Sequence, residues 1–66
     1  MPFGLIQLFE NGQWISGNWM PLSEAEMLAS EMIKASQCPL IMWRWGMYPG
    51  QEPEPFPAIT CGVTFA

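Results

Sequence analysis

The sequence has 66 residues, half of them apolar and only 12% charged, and its net charge is −4, from six glutamates against Lys34 and Arg44, with no histidine. A chain of this length forms one domain, burying about 60% of the surface that its unfolded form exposes, and it is too apolar for a disordered segment. Two unclustered cations argue against direct binding to nucleic acid or an anionic membrane surface, and no apolar run reaches the roughly 18 residues of a membrane span.

The first predicted element is a β-hairpin over residues 3–20. Asn11-Gly12 is the strongest short-range signal for a two-residue type I′ turn, because both residues tolerate positive φ. Centring the turn there opposes Glu10 to Gln13, Phe9 to Trp14, Leu8 to Ile15 and Ile6 to Gly17. Alternation then puts Ile6, Leu8, Ile15 and Trp19 on one face, expected to be core. Phe3, Leu5, Gln7, Phe9, Trp14, Ser16 and Asn18 fall on the other.

A helix is predicted over residues 23–37. Ser23 is the expected N-cap, with Glu26 closing a capping box and Leu22 and Met27 forming a hydrophobic staple. Glu24 and Glu26 lie in the first turn, where a negative charge favours the positive end of the helix dipole. At 100° per residue, Ala25, Leu28, Ala29, Met32, Ile33 and Ala35 share the apolar face. Pro39 is expected to stop the helix.

Residues 40–48 read as a strand with Ile41, Trp43, Trp45 and Met47 on one side and Leu40, Met42, Arg44 and Tyr48 on the other. Residues 49–57 hold four prolines and two glutamates, which predicts an extended loop. Residues 58–65 alternate as a last strand, with Ile59, Cys61, Val63 and Phe65 facing one way. The expected fold class is α+β, ββαββ, a four-stranded antiparallel sheet with the helix on one face. That helix would cover Ile6, Leu8, Ile15, Trp19, Ile41, Trp43, Ile59, Cys61 and Val63.

Cys38 and Cys61 have neither the density of a disulfide scaffold nor the C-x-x-C spacing of a metal or redox site. Two buried thiols are the favoured reading, with a mutual disulfide as the alternative. The stretch Met1 to Gly12 lacks a basic region and reaches a charge at Glu10, so no signal peptide is expected and a reducing cytoplasm is the default. With no histidine to activate a thiol, no phosphate-cradling loop and no metal-ligand cluster, neither catalysis nor a cofactor is expected.

Two surfaces are candidates for binding a protein partner. One is acidic: Glu24, Glu26 and Glu31 on the helix with Glu52 and Glu54 on the proline loop, suited to a basic partner such as the nucleic-acid-binding surface of another protein. A solvated helix face and a stiff, soluble loop is the plainer account of the same residues. The other surface is the sheet face away from the helix, with Phe9, Trp14 and Met42 as apolar anchors and Met27 as a further one on the helix. Aromatics and methionine are enriched in interface cores, and a patch this large is unusual on a lone monomer. A homodimer burying this face, or a sheet curled so that Phe9 and Trp14 tuck into the core edge, are the alternatives.

A chain opening at Met1, the helix Leu22-Ser23-Glu24-Ala25-Glu26-Met27-Leu28-Ala29-Ser30-Glu31 laid on a short antiparallel sheet, and the charge of −4 give this protein a recognisable format. It resembles the small acidic inhibitors that phages and mobile elements encode against host defences, the anti-CRISPR proteins in particular. The resemblance implies a protein that blocks a nuclease or surveillance complex stoichiometrically, often at its positive DNA channel, inside a bacterial host cell.

Overall fold

In the computed structural model, which describes residues 1–65, the chain runs β1 (Phe3–Glu10), β2 (Gln13–Ser16), β3 (Met20–Pro21), α1 (Leu22–Lys34), β4 (Leu40–Trp45) and β5 (Glu54–Pro55). The class is α+β: one helix on an antiparallel sheet ordered β2-β1-β4-β5, with β3 pairing β1 beyond the end of β2. Among the described residues no helix is long and apolar enough to cross a membrane.

The hairpin forms as its turn dictates. Asn11 and Gly12 have φ of 52° and 80°, and the register opposes Glu10 to Gln13, Phe9 to Trp14 and Leu8 to Ile15. Beyond Ser16 the second strand is interrupted. Gln7 pairs Ser16 and Gly4 pairs Met20, so three steps along β1 match four along its partner. The extra residue is a bulge, which reverses the facing of everything after it. Trp19, expected in the core, is thereby turned to the sheet face away from the helix. Ile15 keeps the helix side, but β2 overhangs the helix and leaves it exposed.

The helix begins one residue before the predicted cap. Pro21 pairs with Phe3 in β3, and the chain passes directly into the helix with Pro21 at the N-cap position and no side-chain cap. The Leu22 amide donates to the Pro2 carbonyl at 3.0 Å. The capping box at Ser23 and the staple from Leu22 to Met27 are therefore not formed: Leu22 is buried in the core and Met27 is exposed. The far end also differs from expectation, since the helix stops at Lys34, well short of Pro39. Ser36 adopts φ of 60°, its amide bonds the Ile33 carbonyl at 2.9 Å, and the Gln37 amide bonds the Met32 carbonyl at 3.0 Å. This is a Schellman motif, with serine in the left-handed position that glycine usually holds.

The core is Ile6, Leu22, Ala25, Ala29, Leu40 and Met42, flanked by Leu8, Met20, Met32, Phe56, Ile59 and Cys61. Hence β4 turns Leu40 and Met42 toward the helix, the reverse of the predicted facing. Ala25, Ala29 and Gly4 explain why. The helix lies so close to the sheet that a β-carbon on Gly4 would sit 2.6 Å from the Ala25 β-carbon. A gap that thin accepts a flexible methionine and not an indole.

Residues 58–65 do not form the expected strand. The Ile59 and Thr60 amides turn back onto the Phe56 carbonyl, and Gly62 has φ of 73°, which ends any extended run. One bridge remains, Leu40 opposite Cys61, and the Met42 amide donates to the Thr60 hydroxyl at 3.1 Å where a ladder carbonyl would stand. The edge strand β5 forms instead inside the proline segment, where a missing N–H is tolerated. Cys38 and Cys61 are joined in a disulfide, so the favoured reading of two thiols is corrected. Such a bond persists in oxidising compartments.

Candidate functional site

The β1–β4 register opposes Phe3 to Trp45, Leu5 to Trp43 and Gln7 to Ile41, and the β1–β2 register opposes Phe9 to Trp14 and Gln7 to Ser16. Opposed residues share a face, so all of these lie on the side of the sheet that the helix leaves open. Pro55, opposite Trp43, joins them from β5. Trp19 arrives through the bulge and packs on Trp45 at 5.6 Å between ring centroids. All four tryptophans of the chain therefore occupy one sheet face.

The face has two aromatic centres with a polar link between them. At the hairpin end Phe9 and Trp14 meet edge to face at 5.2 Å. At the other end, about 20 Å away along β1 at 3.3 Å per residue, Trp45 packs against Trp19 and, at 6.4 Å, against Phe3. Between them the Trp43 indole N–H donates to Gln7 Oε1 at 2.6 Å, and Gln7 Nε2 donates to Ser16 Oγ at 2.8 Å. The Trp45 N–H is held by the Gln51 carbonyl at 2.9 Å. These bonds fix the orientation of Trp43 and Trp45, so their planes are set before any partner arrives.

Of the residues expected to anchor a partner, Phe9 and Trp14 lie together on this face and are exposed. Met27 is 67% exposed but stands on the helix, across the sheet from them. Met42 is fully buried beneath the helix, which removes it from any surface. Arg44, expected on the open face, also turns to the helix side: it opposes Gly4, its guanidinium lies 4.5 Å from the centre of the Phe56 ring, and its Nε donates to Glu54 Oε1 at 2.9 Å.

The carboxylates separate into two groups. Glu24, Glu26 and Glu31 ride the helix, whereas Glu52 and Glu54 lie at the β5 edge, an element that α1 does not touch. Glu54 is held by Arg44 and Gln51, and Glu31 pairs with Lys34 at 3.5 Å in an exposed contact of the kind that contributes little. Both cations are thus taken, and Glu10, Glu24, Glu26 and Glu52 carry the net charge of −4 without ion pairs among the described residues. Among the described residues no three histidine, cysteine or acidic side chains gather into a metal-binding group.

Phe3 lies on the face that alternation predicts for it, whereas Trp19, Trp43 and Trp45 were expected on the helix side or left off the binding face. The signals that place these tryptophans on the open face are Gly4, Ala25 and Ala29, which thin the layer under the helix, and Gly17, which marks the bulge. No protein-family model, no curated protein and no solved structure matches the chain.

Proposed function

We propose that this protein is a non-catalytic inhibitor that docks on a protein partner through its aromatic sheet face. The observation that carries the reading is the gathering of four tryptophans, with Phe3 and Phe9, on the sheet face opposite the helix. Oriented aromatic side chains on a rigid sheet are the residue types on which interface affinity concentrates. Glu10, Glu24, Glu26 and Glu52, without ion pairs among the described residues, draw a basic partner to the chain by long-range attraction. A nucleic-acid-binding surface is the basic surface that fits the anti-CRISPR-like format, and the bacterial cytoplasm is the compartment that this reading assigns. There the cellular thiol pool would act on Cys38–Cys61.

The test compares capture by the wild-type chain with capture by the Phe9→Ser, Trp14→Ser double variant, whose changes are at exposed positions. A basic nucleic-acid-binding protein retained by the first and lost by the second supports the proposal. Equal retention by both overturns it. A chain that light scattering finds dimeric at low micromolar concentration, and that the double variant makes monomeric, would make this face a homodimer interface instead.

A further inference from the structure

Beside Trp45 the open face deepens into a recess of about 340 Å³, lined by Phe3, Trp45, Gly46, Tyr48, Gly50 and Gln51. We propose that this recess is an arginine pocket, receiving a guanidinium from the basic partner. The proposal rests on the docking reading above and adds the chemical group that is recognised.

Its lining includes three aromatic residues, Phe3, Trp45 and Tyr48, and two glycines, Gly46 and Gly50, with φ of 84° and 78°. A β-carbon at Gly50 would meet nothing within 4 Å, so this side of the recess borders open space. The wall is held in shape. The Trp45 N–H bonds the Gln51 carbonyl at 2.9 Å, the Met47 amide bonds Gln51 Oε1, and the Gln51 amide bonds the Tyr48 carbonyl at 3.2 Å. Trp19 packs on Trp45. The Trp45 ring is therefore positioned before a ligand arrives.

The rings of the lining select the occupant. Neither a cation nor a carboxylate lines the recess, and Glu52, next to Gln51 in sequence, is exposed and has no ion pair among the described residues. Aromatic faces attract a cation through their quadrupole, and a planar guanidinium can also stack on them, which an ammonium cannot do. The molecule already uses this combination internally, where Arg44 lies over Phe56 and pairs with Glu54.

The test is a titration of the full chain with N-acetyl-arginine amide, followed by amide and indole NMR shifts, beside the lysine and citrulline analogues. Shifts confined to the Trp45 indole N–H, Gly46, Gly50 and Gln51, absent with citrulline and weaker with lysine, are expected. Tyr48→Ala and Glu52→Gln should each weaken the interaction about two- to fivefold. Equal shifts from arginine and citrulline overturn the pocket, as do shifts centred on Glu10, Glu24 and Glu26, or a Tyr48→Ala variant that binds unchanged. Failure of the docking reading shows separately. Concentration-dependent broadening across the Phe9–Trp14 end without any probe reports self-association, whereas probe shifts in dilute protein report the pocket alone.

Discussion

A β-carbon on Gly4 would fall 2.6 Å from that of Ala25 and 2.7 Å from the methyl of Met42. This closeness sets the thickness of the layer between helix and sheet, and through it the facing of β4. Gly4→Ala should destabilise the protein by about 1–3 kcal/mol, the usual range for overpacking. The Met42 side chain can bend away, but Ala25 is anchored to the helix backbone. Urea unfolding of Gly4→Ala, Ala25→Gly and the double variant gives the check. The double variant should be more stable than the sum of the two single losses predicts, because removing the Ala25 methyl relieves the clash.

The hairpin and the existence of the helix were legible in the sequence, and the direction of the faces was not. Asn11-Gly12 announces its turn because both residues accept positive φ, and the register follows from counting outward. Residues 40–45 alternate equally well in either phase, since Leu40 and Met42 are as apolar as Ile41 and Trp43. The choice is made three-dimensionally, by Gly4 against Ala25, with Ala29 also buried under the helix, none of which is near β4 in sequence. Trp19 was misplaced because a single extra residue in residues 17–19 reverses a strand without changing its composition. The terminal segment shows the same limit. Ile59, Cys61, Val63 and Phe65 alternate as a strand would, yet Gly62 takes a positive φ, and the chain is tied to β4 by Thr60 and to Cys38, ahead of β4, by a disulfide.

Ser36 holds the left-handed position of the helix terminus with φ of 60°. A residue with a β-carbon is strained there by about 1–2 kcal/mol, and glycine is not. Part of that gain is offset by the greater freedom of glycine in the unfolded chain. Ser36→Gly should therefore raise stability by about 0.5–1 kcal/mol. Thermal unfolding would register it as a higher Tm, with no change in the spectrum of the aromatic face.

The Cys38–Cys61 bond closes a loop with a sequence separation of 23 and ties the segment after Phe56 to the chain just ahead of β4. In the chain-entropy account a loop of that size contributes about 3 kcal/mol, a large share of what so small a domain has. Reduction, or the Cys38→Ala, Cys61→Ala pair, should lower the urea midpoint accordingly. Hydrogen exchange should quicken first at the Leu40 and Cys61 amides, which bond each other's carbonyls at 2.9 and 3.0 Å. Equal protection of those amides in both redox states would show that the bridge holds without the bond.

The aromatic face and the helix carboxylates lie on opposite sides of the sheet, so a partner's kinetics can tell their contributions apart. Changing Glu24, Glu26 and Glu31 together to glutamine removes long-range attraction without touching the sheet face. The association rate should fall and lose part of its salt dependence, while the dissociation rate stays the same. Trp14 is 40% exposed and packs only against Phe9 among the aromatic rings, so Trp14→Ala should leave the fold intact. If the sheet face is the docking surface, that variant should speed dissociation by a factor corresponding to about 2 kcal/mol or more, the scale of an aromatic hot spot. Surface plasmon resonance on the captured partner at two salt concentrations measures both rates. A glutamine variant that dissociates faster, beside a Trp14→Ala variant that does not, would move the docking surface from the sheet to the helix.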